Sequence, residues 1–200
     1  MTARNARVLL VLSAFIGGLV LFMAAAFLVS GRAPVLTAAP GPSAIGGPFK
    51  LTDQDGNIVT DESLKGKPFL VFFGFTHCPD ICPTTLFDVS EVLTKLGPDA
   101  DRVAALFVTV DPERDTPAKL KDYLSSFDRH LRGLTGDEAA VTAMTKAYRV
   151  YSKKVPLEGK DYTMDHTALV YLMDKQGRFV APFSLKRPPE QAAEDLKKYL

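Results

Sequence analysis

Between residues 8 and 29 the chain is apolar almost without interruption, and no charge falls between residues 8 and 31. A helix of those 22 residues, rising about 1.5 Å at each, is about 33 Å long, enough to cross a hydrocarbon core of about 30 Å. Arg4 and Arg7 precede the run and Arg32 closely follows it. The positive charge on the leading side keeps residues 1–7 cytoplasmic and exports the chain beyond the run. The expectation is a single-pass anchor at 8–30 in the inner (cytoplasmic) membrane, with the rest in the periplasm or an equivalent exported space. A cleaved signal peptide is the rival reading, because Ala24, Ala25, Ala26, Ala38 and Ala39 are small enough for a peptidase. The apolar run exceeds the about 7–15 residues of a signal core and favours the anchor. Residues 31–48, rich in Pro, Gly and Ala, read as a linker, and 49–200 as one folded domain.

Past the linker the periodicity shortens. The segments Phe49–Leu51 and Ile58–Val59 flank Asp53-Gln54-Asp55-Gly56-Asn57, a hairpin signal. Residues 68–75 are a continuous apolar run between turn residues, which predicts a central strand buried on both faces. A helix follows from Pro83 to Leu96, then a second buried strand at 103–110. Thr116-Pro117 supplies a cap and a first-turn proline for a helix to Phe127. Asp137 caps another to Arg149. Strands at 167–173 and 178–185, joined at Asp174-Lys175-Gln176-Gly177, form an antiparallel hairpin, and 189–200 closes the chain as a helix. This order predicts an α/β domain of thioredoxin-like fold with an extra N-terminal β-hairpin and an inserted helix. In such sheets ligands bind beyond the carboxyl ends of the parallel strands, which brings the residues after Phe75 near those after Val110.

Charge and composition narrow the function classes. With 24 Lys+Arg against 23 Asp+Glu the chain has no basic excess to meet a phosphate backbone, so nucleic acid is not an expected partner. No acid precedes Asp53, and from Ser43 onward the balance is 21 against 23, or −2. At 46% hydrophobic and 24% charged the chain is not a disordered one. Two cysteines, Cys78 and Cys82, are too few for a disulfide scaffold or a four-cysteine zinc site.

Those two cysteines stand in Thr76-His77-Cys78-Pro79-Asp80-Ile81-Cys82-Pro83, at the end of the expected central strand. Pro83 fits the first helical position and puts Cys82 near the cap. Pro79-Asp80 suits the middle of a turn that folds Cys78 back, so a Cys78–Cys82 disulfide and shared binding of one ion are both open. A helix N-terminus favours the thiolate, which is both the nucleophile of disulfide exchange and a soft ligand for Cu(I). A purely structural disulfide is the plainer reading, but so short a loop removes little entropy from the unfolded chain. A third ligand must come from elsewhere. His130 lies in a polar stretch and reads as solvated. His77 points away from its neighbour Cys78 and reads as structural or supporting. His166 opens the strand at 167–173, and as read from sequence it is a core histidine or a ligand, with Asp165 beside it.

The run from Phe73 to Pro83 closely resembles the signature of the SCO/SenC family, membrane-anchored, thioredoxin-fold copper chaperones of cytochrome c oxidase assembly. The likeness continues through Asp111–Thr116, Leu134-Thr135-Gly136 and 147–151 to Asp165-His166-Thr167. It implies that Cys78, Cys82 and His166 bind one copper ion, Cu(I) or also Cu(II), and that Asp165 supports the site. It further implies a copper metallochaperone that delivers its ion to the binuclear copper centre of cytochrome c oxidase subunit II, or to another respiratory copper protein. The alternative is a membrane-anchored thiol–disulfide reductase that keeps the acceptor cysteines reduced, with Cys78 and Cys82 as the redox-active pair and no need of His166. A peroxidase of the same fold needs an arginine near the cysteines, and the nearest in sequence is Arg102. The Asp111–Thr116 run is part of the likeness without a clear chemical role, and its plain reading is a strand exit that caps the next helix. Ordinary thioredoxins carry a Trp before the cysteines, which is missing here. His166 stands where redox members of the fold usually place a proline, and both departures favour metal handling.

Overall fold

The computed structural model describes residues 3–30, 45–159 and 161–200. The chain divides into two units, Met1–Gly41 and Pro42–Leu200. In the first, helix α1 spans Ala3–Ser30, 28 residues. Its side chains are described for residues 12–26, and all of these are exposed, Leu12, Phe15, Ile16, Leu19, Leu21 and Phe22 among them. Among the described residues no helix is long and apolar enough to cross a membrane. The expected anchor at 8–30 extends beyond those side chains at both ends, and most of the expected linker, 31–44, lies outside the described residues.

In the second unit the elements run β1 (Lys50–Asp53), β2 (Ile58–Thr60), α2 (Asp61–Leu64), β3 (Phe69–Gly74) and α3 (Ile81–Leu96), then a short 3-10 turn and β4 (Ala104–Thr109). They continue with α4 (Pro117–Leu124), β5 (Leu131–Thr135), α5 (Glu138–Ala147), β6 (Ser152–Pro156), β7 (Tyr162–His166), β8 (Val170–Met173), β9 (Phe179–Pro182) and α6 (Pro189–Lys197). Seven strands form one sheet in the order β2-β1-β5-β4-β3-β8-β9. β3 pairs parallel with β4 and antiparallel with β8.

All six residues of β3 are buried, as its unbroken apolar run requires. Alternation along the strand divides its aromatic side chains between the two faces. Phe73 meets Tyr148 at 5.5 Å and Tyr171 at 6.2 Å between ring centroids. Phe72 faces the other way and meets Phe107 at 6.0 Å and His166 at 6.3 Å. Burying side chains of this size stabilises the fold by about 1.5–3 kcal/mol each. Helices α3 and α6 pack together, and α4 packs on β5.

The predicted hairpins β1–β2 and β8–β9 are present, as are the caps of α4 and α5. Thr116 Oγ1 accepts from Lys119 N at 3.3 Å, and Asp137 Oδ1 from Ala140 N at 2.7 Å. Several boundaries differ. Helix α4 ends at Leu124, three residues before Phe127. Strand β5 was not expected, because Arg132 and Gly133 interrupt its pattern. Gly133 is there because Leu120 and Leu124 of α4 pack into the place of its side chain, and a Cβ would lie 2.7 Å from Leu124. Strands β6 and β7 were also unexpected. Among the described residues they pair only with each other; β6 is mostly exposed and β7 mostly half-buried, so neither carries the apolar run of a buried strand. What was expected as one inserted helix is therefore a β5-α5-β6-β7 insertion. Residues 45–48, expected in the linker, lie against the domain, with Gly46 N donating to the Ala147 carbonyl at 2.9 Å.

Candidate metal centre

Helix α3 begins two residues earlier than Pro83, with Asp80 as its cap and Ile81 first. Pro83 is therefore the third helical residue, a position whose backbone N–H would have no partner in the helix anyway. This shift moves Cys82 inside the helix, onto the stripe of buried residues Cys82, Leu86, Val89, Leu93 and Leu96. Their spacing of three and four is the period of a helix face laid on a core. Cys82 is wholly buried. Gly74, the last residue of β3, makes the space for its sulfur, since a Cβ there would lie 2.7 Å from Sγ. Cys78 is half-buried in the preceding loop, and its N–H donates to the Phe75 carbonyl at 3.2 Å.

His166 closes β7 and does not open the next strand, which starts only at Val170. The end of the β6–β7 hairpin lies beside the start of α3. Cys82 Sγ and His166 Nε2 are 3.6 Å apart, across 84 residues of chain. His166 Nδ1 lies 3.1 Å from the Thr167 carbonyl oxygen, which can only accept, so that contact puts the proton on Nδ1 and leaves the Nε2 lone pair facing the sulfur. Phe75 stands edge-on to the imidazole, 5.7 Å between centroids at 90°. Sγ of Cys78, Sγ of Cys82 and a His166 ring nitrogen all lie within 4.8 Å of one another. Thiolate and imidazole bonds of about 2.3 and 2.0 Å to one ion in trigonal geometry place the two ligand atoms about 3.7 Å apart. The observed 3.6 Å matches that spacing, so Cys82 and His166 stand as two ligands of one soft or borderline ion would, with the Cys78 sulfur within 4.8 Å of both.

Both cysteines are free thiols. The expected thiolate at the helix N-terminus does not hold for Cys82. Burial pushes its thiol well above the ordinary range. The Phe75 N–H pulls the other way, but Cys78 and the negative charge of Asp115 add to the rise. Desolvation outweighs the helix terminus because the sulfur has no access to water.

Asp115 is the site acid that the sequence did not single out. It is fully buried. Its carboxylate accepts from Thr76 N at 3.0 Å, Thr76 Oγ1 at 2.6 Å and Thr109 Oγ1 at 2.7 Å, and so ties the cysteine loop to the end of β4. The only signal was the Asp111–Thr116 run itself. Asp165, the expected supporting acid, is exposed and lies in register with Lys153, on the opposite face of β7 from His166. His77 is exposed, with Nδ1 3.1 Å from Thr76 Oγ1. His130 is not solvated as expected. Its Nδ1 lies 2.5 Å from Asp128 and its Nε2 3.1 Å from Asp101, away from the cysteines.

Two thiols and an imidazole at the carboxyl end of a central parallel strand define a thioredoxin-like α/β protein with the geometry of a metal site. A family model for SCO1/SenC matches residues 37–200. The chain belongs to the SCO1/SenC family. It is 40% identical to an SCO2-like protein of Rickettsia felis over 155 residues, 76% of each chain. Among solved structures it is similar to Bradyrhizobium japonicum ScoI with copper bound, with 68% identity and a TM-score of 0.77 over 78% of this chain and 99% of that one. It is also similar to BsSco, described as a member of the Sco family of cytochrome c oxidase assembly proteins with a disulfide switch. There the identity is 26% and the TM-score 0.63, over 80% of this chain and 95% of that one.

Proposed function

We propose that this protein is a copper metallochaperone of cytochrome c oxidase assembly, with Cys78, Cys82 and His166 as the ligands of one copper ion. The observation that carries the reading is the clustering of two sulfurs and one imidazole nitrogen within 4.8 Å. That donor set suits Cu(I) and accepts Cu(II). Loading displaces the proton of the buried Cys82 thiol, so binding and deprotonation are one event. Release is a ligand exchange in which an acceptor thiolate approaches from the side of the half-buried Cys78. The acceptor is the binuclear copper centre of subunit II or another respiratory copper protein. Helix α1 is the membrane anchor, with the N-terminus cytoplasmic and the domain exported. Asp165, next to His166 in sequence but exposed on the other face of β7, supports the site through its negative charge and not by contact with the ligands.

A thiol–disulfide reductase is the second reading, favoured by the closeness of Cys78 and Cys82 and by the disulfide switch described for BsSco. It would use Cys78 as the attacking thiol and Cys82 as the resolving one. One experiment separates the two. The full chain in detergent is fully reduced and its bound copper counted, beside its ability to reduce insulin, for wild type and for His166→Ala. One copper per chain in the wild type, weakened in His166→Ala, with no insulin reduction in either, supports the chaperone. A wild type that binds no copper overturns it, and insulin reduction untouched by His166→Ala establishes the reductase.

A further inference from the structure

The β6–β7 hairpin presents the imidazole but, among the described residues, pairs with no strand of the main sheet. A two-stranded hairpin is at best marginally stable by itself, so something else must hold His166 in place. Tyr162, Met164 and His166 alternate onto one face of β7, and Tyr162 lies where that face meets the turn after β4.

There Arg114 is enclosed. Its guanidinium carbon lies 3.7 Å from the centre of the Tyr162 ring and 5.9 Å from that of Phe75. Phe75 is the same ring that stands edge-on to His166. Arg114 Nε donates to Asp111 Oδ2 at 2.5 Å, and its Nη1 donates to the Tyr162 carbonyl at 2.9 Å. The Tyr162 hydroxyl donates to Asp111 Oδ1 at 2.8 Å. Asp111 is thus gripped from both elements, and it is 1% exposed. At the rim, Lys154 of β6 pairs with Glu113. The grip continues inward, because Asp111 N donates to Thr109 Oγ1, whose hydroxyl donates to Asp115, the carboxylate that holds Thr76 of the cysteine loop.

We propose that Arg114, with Asp111 and Tyr162, is a positioning clasp that holds the β6–β7 hairpin, and with it His166, against the cysteine loop. This rests on the reading of Cys78, Cys82 and His166 as a copper site. Charge-assisted hydrogen bonds and a cation over an aromatic face are strong when shielded from water. They can be undone without touching a ligand, so the clasp sets how often the imidazole is available. With the clasp closed the ion has three ligands. With it open the two sulfurs remain, and the ion is ready for an incoming thiolate.

The test uses the full chain in detergent, with Cu(I) held in competition by a chromogenic chelator and with amide exchange measured on the copper-free protein. Arg114→Ala is expected to speed exchange in β6 and β7 about tenfold or more while β3 and β4 stay protected. It should also weaken Cu(I) binding about tenfold. In a His166→Ala background the same substitution should cost less than about twofold, because the clasp acts through that imidazole. Tyr162→Phe, which keeps the ring but loses the hydroxyl, should show the same pattern more weakly, and Arg114→Lys should restore part of the loss. Unchanged hairpin exchange in Arg114→Ala overturns the clasp, as does equal loosening of β3 and β4 or an equal affinity loss without His166. Should Arg114→Ala not fold, Tyr162→Phe carries the same comparison. A wild type that binds no Cu(I) overturns the copper reading instead, and the exchange data then decide the clasp alone.

Discussion

A methyl group placed on Gly74 would lie 2.7 Å from Sγ of Cys82, closer than packed atoms approach. The last residue of the central strand is therefore small because the sulfur occupies the space its side chain would fill. Phe107 would be equally close, at 2.7 Å, so the methyl would meet two packed side chains at once. Gly74→Ala is expected to destabilise the domain by about 1–3 kcal/mol, the range for overpacking a dense core. It should also weaken Cu(I) binding about tenfold or more by displacing a ligand. Urea unfolding and chelator competition check the two effects separately.

The two thiols sit in unlike environments, and their reactivity should differ accordingly. Cys78 is half-buried, whereas Cys82 is wholly buried with its thiol pushed well up by desolvation. Thiolate fraction and access both govern alkylation. In the reduced, copper-free protein, iodoacetamide should label Cys78 at least about tenfold faster than Cys82, read by mass mapping of timed samples. Equal rates would mean that the sulfur of Cys82 is open to solvent.

Asp115 makes three hydrogen bonds and has no exposed surface. Asp115→Ala leaves the N–H and hydroxyl of Thr76 and the hydroxyl of Thr109 without their acceptor. Leaving buried polar groups unpaired costs about 1–3 kcal/mol each, so a loss of about 3 kcal/mol or more in unfolding free energy is expected. Asp115→Asn keeps one acceptor oxygen, and its loss should be smaller. It also removes a negative charge that helps hold the Cys82 thiol up. The thiolate absorbance of the copper-free variant should therefore appear at lower pH than in wild type.

Acid should weaken the domain at the β1–β2 turn. Asp53 is buried, and burial alone would raise its carboxyl. The N–H and side chain of Asn57, the N–H of Asp55 and the Arg132 charge together hold it below the usual carboxylate range. A group depressed in the folded state contributes stability that is complete above its unfolded value, about pH 3.9, and is lost as pH falls through the folded value. Asp53→Asn should thus lower unfolding free energy by about 2 kcal/mol near pH 7, by loss of hydrogen bonds to a charged group. The gap to wild type should close as pH falls below about 4. Denaturant curves at several pH values measure that gap, and a gap unchanged down to about pH 2 would remove the linkage.

Much of the frame was legible in the sequence because it depends on contacts between near neighbours. The apolar run that became β3, the Thr116-Pro117 and Asp137 caps, and the Asp53–Asn57 turn each carry their own local chemistry. What went unread had no such signature. β5 carries a glycine because α4 lies over it and an arginine because Arg132 reaches Asp53, and the β6–β7 hairpin is largely polar because only part of one face, Met164 included, meets the core. The proline rule misplaced the start of α3 by two residues, since a proline fits the third helical position as well as the first. A period of three and four through Cys82, Leu86, Val89, Leu93 and Leu96 was available in the sequence and marks Cys82 as a buried helical residue.

The sequence by itself determined that two cysteines close together would stand where a buried strand meets a helix, because hydrophobic period and turn chemistry act over a few residues. His166 stood out there only through likeness to a family. That its imidazole, 84 residues away, faces the sulfur of Cys82 at 3.6 Å was decided by the tertiary structure alone. So was the choice of Asp115 over Asp165 as the buried acid beside the site. Both depend on how the β6–β7 hairpin and the turn after β4 fold back against the end of β3, and packing between distant segments leaves no periodic trace in either one.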